Sequence, residues 1–245
     1  MEIYMWITAI VLAGGSGKRM NTDTPKQYLM LEGKPLLYYS LKAFEESLVN
    51  EVILVTKAGE EVYCQKEFVE QYGFKKVTAV VTGGKERYHS VLKGLQAIKN
   101  CDYVMIHDGA RPLLTPKMIA HTIEAVKDYK ACVVGMPVKD TIQIANEMGV
   151  IMETPKRSTV WQAQTPQAFA FAMVRDAYEK IVQESEVEVT DDAMVVGRYY
   201  DVPIYMVEGA YTNIKVTTPE DIPVAEVMLR LQSECRTSTC TSLNA

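Results

Sequence analysis

The chain has 245 residues, of which 48% are hydrophobic and 23% are charged, a composition typical of a globular protein with a sizeable core. Its formal net charge of -5 argues against a general nucleic-acid coat protein, since such domains are normally basic. The five cysteines form no CxxC pair, so neither a zinc site nor a redox dithiol is indicated. No stretch approaches the roughly 20 apolar residues of a membrane span. The first apolar run ends in glycines rather than in a cleavage site, so a cytoplasmic location is expected.

Apolar runs alternate with amphipathic stretches along the chain, which predicts a mostly parallel sheet with helices on its faces. The predicted strands are residues 7–13, 51–56, 77–81, 103–107 and 131–138, with a late pair near 204–207 and 214–216. The predicted helices are residues 36–47, 60–72, 87–99, 116–129 and 169–183, and a last one that opens at Thr218-Pro219 and runs toward Leu231. We predict one domain over residues 1–232 and a frayed, disordered tail over residues 233–245.

The first predicted strand ends in a glycine-rich segment that carries two adjacent cations. These residues are Gly14, Gly15, Gly17, Lys18 and Arg19. Glycines let the backbone turn tightly and bring its N–H groups close to an anion, so the loop is a candidate triphosphate site.

Two better-known glycine loops do not fit this segment. Leu12 stands where a Walker A loop needs its first glycine, and Met20 stands where the dinucleotide fingerprint needs its third. A plain turn between strand and helix is the alternative, and it is weakened by Lys26, a further cation that follows a proline-rigidified turn.

More polar residues follow the third and fourth predicted strands, at the sheet edge where ligands bind in open parallel sheets. They are Gly83, Gly84, Arg87, Ser90, Asp108 and Arg111. A carboxylate such as Asp108 could hold Mg²⁺ or orient a hydroxyl group. The alternatives are a turn or capping role for Asp108 and a structural ion pair for Arg111.

Three later features are ambiguous. Thr190 or Asp191 would cap a helix through Val196 whether or not either residue meets a ligand. Lys215 lies inside an apolar run, where a charge is unexpected unless an anion or an acid meets it. The histidines show no metal spacing, and His107 is interpreted as a strand-end residue.

Residues 139–157 interrupt the alternation, because they have a period of two on either side of a polar turn at 146–149. This pattern predicts a projecting β-hairpin arm. An isolated hairpin is only marginally stable, so the arm is expected to pack on a partner, for which a second copy of the chain is the obvious candidate.

Eight motifs, taken in chain order, resemble those of the 2-C-methyl-D-erythritol 4-phosphate cytidylyltransferases. They are LAGGSGKRM, PKQYL, GGKERYHSVLKGL, HDGARP, KDTI, an Arg followed by WQAQTPQAF, TDDA and NIKVTTPEDI. The resemblance runs from Ile7 to about Leu231 and implies a Rossmann-like α/β nucleotidyltransferase fold. It also implies CTP as co-substrate, Mg²⁺ or another divalent cation, a homodimer held partly by the arm, and a role in the non-mevalonate isoprenoid pathway.

The resemblance also implies roles for individual residues. Arg19 and Lys26 would lie on the triphosphate, Lys215 near the reacting phosphate, and Asp108 near the ribose and the metal. The cytosine and its ribose would be surrounded by Ala13, Gly14, Gly84 and Ser90, beside the loop glycines Gly15 and Gly17. The sugar-alcohol phosphate would be contacted by Thr141, Arg157, Thr165 and Thr190. The family commonly has an Asp before the Asn-Ile-Lys motif, where this chain has Thr212.

The implied reaction is attack of a substrate phosphate oxygen on the α-phosphorus of CTP, with pyrophosphate leaving. Positioning and charge stabilisation suffice for such a step, so no nucleophilic Ser or Cys is needed. One alternative is the sister activity on D-ribitol 5-phosphate, which shares most motifs. Lys139 before Asp140-Thr141 favours the erythritol substrate. The other alternative is a nucleotide-binding regulator without turnover.

Overall fold

A computed structural model describes residues 5–15, 18–20, 24–184 and 188–241. The strands in these segments are β1 (Ile7–Leu12), β2 (Met30–Leu31), β3 (Lys34–Pro35), β4 (Glu51–Thr56), β5 (Val77–Thr82), β6 (Tyr103–Asp108), β7 (Ala131–Pro137), β8 (Ile144–Ala145), β9 (Ile151–Glu153), β10 (Trp161–Ala170) and β11 (Tyr205–Glu208). The helices are α1 (Leu36–Glu45), α2 (Glu61–Cys64, continued by a π-helical segment Gln65–Glu70), α3 (Arg87–Ala97), α4 (Pro116–Tyr129), α5 (Phe171–Ile181), α6 (Asp192–Tyr199) and α7 (Asp221–Thr241). Short 3-10 turns occupy Lys18–Met20, Lys26–Tyr28 and Arg157–Thr159. None of the helices in the described segments is long and apolar enough to cross a bilayer.

The main sheet has seven strands in the order β11-β7-β10-β6-β1-β4-β5. β1 pairs in parallel with β4 and β6, and β4 pairs in parallel with β5. β10 is antiparallel to both of its neighbours, β6 and β7. Since β1, β4, β5 and β6 end at one edge of the sheet, the loops that follow them gather there, and the predicted mostly parallel α/β sheet is confirmed.

Helices cover both faces of the sheet and form two apolar cores. On one face α1 and α4 bury Leu37, Phe44 and Ile123. On the other face α3 and α5 bury Leu95 and Val174. β1 contributes side chains to both cores, as its unbroken apolar sequence predicts.

A third, smaller apolar cluster lies beside the sheet edge. Met20, Leu31 and Val216 are buried in it, together with Ala225 from α7. The cluster fixes the chain directly after Arg19 and directly after Lys215.

The predicted arm is present as the antiparallel pair β8–β9, closed by a turn in which Gly149 has a φ of +79°. Residues 139–154 are all exposed in the single chain, so the arm projects from the domain.

Two predictions about strands were wrong. Residues 161–170 form the strand β10, where no strand is predicted. The glutamines of this segment obscure its apolar pattern. Gln164 and Gln167 are nevertheless buried, and their side chains form internal hydrogen bonds. Residues 214–216 form no strand, and Val216 makes only one backbone bond, to Ala110, at 2.9 Å.

The last helix differs from its prediction at both ends. It begins at Asp221, whose carboxylate accepts the backbone N–H groups of Thr217 and Thr218 at 2.7 and 2.9 Å, so Thr218 is not its cap. It continues to Thr241, through the start of the predicted tail, because adding a residue to an existing helix costs far less than nucleating one. Residues 242–245 lie outside the described residues.

Candidate active site

A cleft of about 490 Å³ opens at the carboxyl edge of β1, β4, β5 and β6. It is lined by Leu12, Ala13, Gly14, Gly15, Lys26, Gln27, Lys57, Gly84, Lys85, Glu86, Arg87, Ser90, Asp108, Ala110 and Lys215. Eight of the residues predicted for the site therefore meet in one cavity: Ala13, Gly14, Gly15, Lys26, Gly84, Ser90, Asp108 and Lys215.

The first wall of the cleft is the loop after β1. The N–H of Ala13 donates to the Val55 carbonyl at 2.7 Å, which holds the loop against β4. A Cβ on Gly14 would lie 3.2 Å from the Thr56 backbone, so glycine permits this close approach. The predicted contact of Gly17 lies outside the described residues.

The opposite wall is the turn from β5 into α3. The N–H of Gly84 donates to Ser90 Oγ at 3.0 Å, and a Cβ on Gly84 would come within 2.3 Å of the His89 Cβ. The two glycine-containing segments thus both line the cleft.

Lys26 enters the cleft from the short helical turn that follows Pro25. Tyr28 anchors this turn, because its hydroxyl donates to Glu60 at 2.6 Å and its ring stacks on Phe68 with centroids 5.1 Å apart. Burial lowers the pKa of Lys26, and the nearby positive charge of Lys215 lowers it further.

Arg19, predicted as a second triphosphate ligand, is exposed and does not line the cleft. It is near enough to Lys26 for its charge to contribute to the lowered pKa of that lysine.

Asp108 contributes a carboxylate to the cleft and is paired there with two cations. Lys215 Nζ lies 2.7 Å from its Oδ2, and Arg87 Nε lies 3.4 Å from its Oδ1. Burial alone would raise the pKa of Asp108, but Arg87 and Lys215 outweigh burial and hold that pKa well below its usual value. The sequence left open whether an anion or an acid contacts Lys215, and in the structure the contacting group is the carboxylate of Asp108.

Behind Asp108 lies a buried pair, Thr165 and His107. The Asp108 N–H donates to Thr165 Oγ1 at 3.1 Å, and Thr165 Oγ1 lies 3.0 Å from His107 Nδ1. His107 Nε2 faces the Arg111 carbonyl at 3.4 Å, so the neutral ring carries its proton on Nε2 and accepts the Thr165 hydroxyl at Nδ1. Thr165 is thus a support of Asp108 and is not part of the cleft lining; its contact with substrate stays a prediction.

Asn213 fixes the segment that carries Lys215. Its side-chain amide donates to Gln164 Oε1 at 3.1 Å and to the Thr165 carbonyl at 3.0 Å. Its own carbonyl accepts Arg111 Nη1 at 2.7 Å, so Arg111 makes a structural hydrogen bond to the backbone rather than the ion pair considered from the sequence.

Three predicted substrate contacts lie away from this cleft. Thr141 is exposed on the arm, and the exposed Arg157 donates only to the Lys139 carbonyl, at 3.3 Å. Thr190 is exposed and contacts Met194 Sδ at 3.2 Å, while the neighbouring Asp191 caps α6. None of the three lines the cleft of its own subunit.

Sequence reasoning missed several residues in and beside the cleft, Gln27 and Glu86 among them. Lys57 and Lys85 line the cleft, and the signal available for them was their position directly after β4 and directly after Gly84. Asp192 forms a bidentate ion pair with Arg87. The TDDA motif contains Asp192, but the sequence assigned it no partner.

Among the described residues, no three His, Cys, Asp or Glu side chains form a metal-binding group. Within the part of the chain that the structure describes, the carboxylates that line the cleft are Asp108 and Glu86. A divalent cation here would take most of its ligands from a bound substrate, as Mg²⁺ commonly does at triphosphates.

A glycine-lined cleft at the carboxyl edge of a mostly parallel sheet, with lysines and Asp108 in its lining, is the arrangement of an α/β nucleotidyltransferase. The family model described as IspD, 2-C-methyl-D-erythritol 4-phosphate cytidylyltransferase, matches residues 7–231. The chain belongs to this family.

Relatives and solved structures agree with that assignment. The 2-C-methyl-D-erythritol 4-phosphate cytidylyltransferase of Lachnoclostridium phytofermentans is 52% identical over 224 residues, 91% of this chain and 96% of the relative. That of Lachnospira eligens is 49% identical over 91% of this chain and 99% of the relative. The crystal structure of 4-diphosphocytidyl-2C-methyl-D-erythritol synthase from Anaerococcus prevotii matches with a TM-score of 0.80 and 32% identity, over 92% of this chain and 99% of that one.

Proposed function

We propose that the protein transfers CMP from CTP to 2-C-methyl-D-erythritol 4-phosphate and releases pyrophosphate, in the non-mevalonate isoprenoid pathway. The observation that carries the proposal is the single cleft in which Lys26, Lys215 and Asp108 meet below the glycine loop. Membership of the cytidylyltransferase family supports the choice of both substrates.

The two lysines suit in-line phosphoryl chemistry. Negative charge develops on the phosphate oxygens as the substrate oxygen attacks and pyrophosphate leaves, and preformed positive charges lower the energy of that transition state. Lys26 would contact the triphosphate and Lys215 the reacting phosphate. Arg19, which does not line the cleft, would contact the triphosphate from beside it.

No covalent enzyme intermediate is part of the proposal. Cys64, Cys101 and Cys132 are buried, and burial raises their pKa values to about 11, 12 and 12. Such thiols are poor nucleophiles at neutral pH.

The part of the cleft lined by the two glycine-containing segments suits a pyrimidine base. Ala13 and Gly14 on one side and Gly84 and Ser90 on the other would contact the cytosine and its ribose. Backbone groups of these segments can hydrogen-bond the edge of a pyrimidine base.

Asp108 suits a divalent cation, since carboxylate oxygens are hard ligands and its Oδ1 has only the 3.4 Å contact with Arg87. Mg²⁺, when bound, would neutralise charge on the triphosphate oxygens, and Asp108 would hold it together with the phosphates.

The active unit is proposed to be a homodimer in which the arm reaches the neighbouring subunit. Exposed apolar side chains on the arm support this, among them Met148 at 82% and Met152 at 66% exposure. Thr141 and Arg157 at the two ends of the arm would then contact the sugar-alcohol phosphate in the partner's cleft. The location in the cytoplasm stays a prediction.

The test is a pyrophosphate-release assay with CTP and Mg²⁺, with methylerythritol phosphate and ribitol 5-phosphate run side by side. Turnover with the erythritol substrate is expected. Preference for the ribitol substrate would move the protein to the sister activity, and no turnover with either would favour a nucleotide-binding regulator.

A further inference from the structure

A buried ion pair lies behind the cleft and connects α3 with α6. Asp192, fully buried at the start of α6, accepts Arg87 Nη1 and Nη2 at 2.7 and 2.8 Å, one on each carboxylate oxygen. The two residues are 105 positions apart in the chain. Arg87 also lines the cleft, so the pair runs from the interior to the cleft wall.

Asp192 is the fixed end of this pair. The Tyr178 hydroxyl donates to its Oδ1, and Gln167 Oε1 accepts the backbone N–H groups of Asp192 and Ala193 at 3.1 and 2.9 Å. Because hydrogen bonds fix both the backbone and the carboxylate of Asp192, its bidentate contact sets the orientation of the Arg87 guanidinium.

That direction determines how Arg87 meets Asp108. Nη1 and Nη2 each give one N–H to Asp192, which turns the end of the guanidinium toward that carboxylate, and the contact with Asp108 is made by Nε, at 3.4 Å. Lys215 Nζ takes the other oxygen of Asp108 at 2.7 Å.

Arginine prefers to bind a carboxylate with two parallel N–H bonds. If the charge of Asp192 were removed, the guanidinium of Arg87 would be free to turn and to present two parallel N–H groups to Asp108. Arg87 would then compete with Lys215 for Asp108.

We propose that Asp192 is a positioning residue for the transfer reaction, which holds the guanidinium of Arg87 and thereby keeps Asp108 paired with Lys215 at the cleft. The inference rests on the proposed function, because Lys215 is placed there at the reacting phosphate. Asp192 lines no part of the cleft and acts only through Arg87.

Asp192→Asn tests the proposal, since it removes the charge and keeps the shape. We expect kcat for pyrophosphate release to fall about 10- to 100-fold, as is typical when a supporting partner of a site residue is lost. The Kd of CTP, measured by calorimetry without turnover, should stay within about threefold of the wild-type value, because the defect lies in the transition state. A folded Asp192→Asn protein with wild-type kcat would overturn the proposal.

The double variant Asp192→Asn/Arg87→Gln provides a rescue. It removes the competing guanidinium, so its kcat should exceed that of Asp192→Asn alone, a non-additivity expected of residues that act on each other. A double variant as slow as the single one, or slower, means that Arg87 does not compete for Asp108 and contradicts the proposal.

Tyr178→Phe is the matched control, because it removes one hydrogen bond to the same buried carboxylate and leaves the ion pair. Tyr178→Phe should lower the thermal unfolding midpoint and preserve kcat. A loss of kcat as large as in Asp192→Asn would mean that Asp192 has only a packing role, which contradicts the proposal. If Asp192→Asn fails to fold, Asp192→Glu replaces it, since a carboxylate that is one methylene longer moves the guanidinium of Arg87 relative to Asp108, and normal kcat in that folded variant overturns the inference. Wild-type protein is assayed alongside: an inactive wild type contradicts the proposed function, whereas an active wild type with an equally active Asp192→Asn contradicts only this inference.

Discussion

Lys26 carries its charge in a partly buried position close to Lys215 and Arg19. Lys26→Ala and Arg19→Ala are each expected to remove most of the turnover, since losing one transition-state contact typically costs about 10²–10³ in rate. Neither residue belongs to an apolar core, so the thermal unfolding midpoint should change little. Pyrophosphate release measures the first effect and circular dichroism the second.

The matched control is Lys127→Ala, which removes an exposed lysine of α4 whose carboxylate partner is Glu124 at 3.3 Å. It should keep normal turnover. Near-normal turnover in both Lys26→Ala and Arg19→Ala would contradict the assignment of the triphosphate site.

His107 makes stability depend on pH. Burial lowers its pKa from 6.5 to about 3, so below pH 6.5 the unfolded chain binds a proton that the folded chain excludes. The free energy of unfolding should therefore fall as pH falls from about 6.5 toward 3, by up to about 1.4 kcal/mol per pH unit from this residue. Urea unfolding of the wild type and of His107→Gln between pH 7 and pH 5 measures the difference in slope.

His121 lies exposed on α4 and supplies the comparison. His121→Gln should keep the wild-type slope, whereas His107→Gln should flatten it. Equal slopes for the wild type and His107→Gln would show that another group causes the dependence.

At the scale of elements, the turn from β5 into α3 has no space for a side chain at its second glycine. Gly84→Ala would place a Cβ 2.3 Å from the His89 Cβ, at the first turn of the helix. We expect about 1–3 kcal/mol lower free energy of unfolding, the usual cost of overpacking. Gly15→Ala, which meets nothing within 4 Å, should change the free energy of unfolding by about 0.5 kcal/mol or less. Urea titration compares the two, and equal effects would mean that the turn can relax.

Elements with uniform chemistry were predicted well from the sequence. β4 is apolar along its length and α4 has a Thr cap, a proline in its first turn and a buried stripe, and both match their predicted bounds. The strand-end rule also brought Gly14, Gly84 and Asp108 to one cleft, although their roles stay predictions.

Other features were beyond sequence reasoning because their partners are distant. The glutamines of β10 look like loop residues until the carbonyl of Ala210 and the N–H of Asp192 are known to meet them. The pairing of Asp192 with Arg87 joins two motifs that were each assigned a different local role. Local patterns contain no information on such contacts.

At the scale of the whole molecule, the arm is expected to act on the neighbouring subunit. Arg157 donates only to the Lys139 carbonyl in its own chain and lies outside that chain's cleft, so a phosphate in the partner's cleft would provide the bidentate anion that arginine prefers. Arg157→Ala and Lys26→Ala proteins, each inactive alone, should regain activity when mixed under subunit exchange, because one cleft of the mixed dimer has neither defect.

Native mass spectrometry confirms that exchange has taken place. Mixing either variant with itself is the control and should stay inactive. A mixture that exchanges and yet shows no activity would mean that Arg157 serves its own subunit or has a structural role.

The position of β10 in the sheet has a consequence for synthesis on the ribosome. β7 ends at Pro137, and its sheet partners are β10 and β11, both later in the chain. The 33 residues from Pro137 to Ala170, the end of β10, take about 2–7 s to translate at typical speeds. During that interval the apolar strand β7 has both edges open, which is the condition under which nascent chains associate wrongly. Lys215 is made later still, so the cleft can be completed only after every strand of the main sheet has been made.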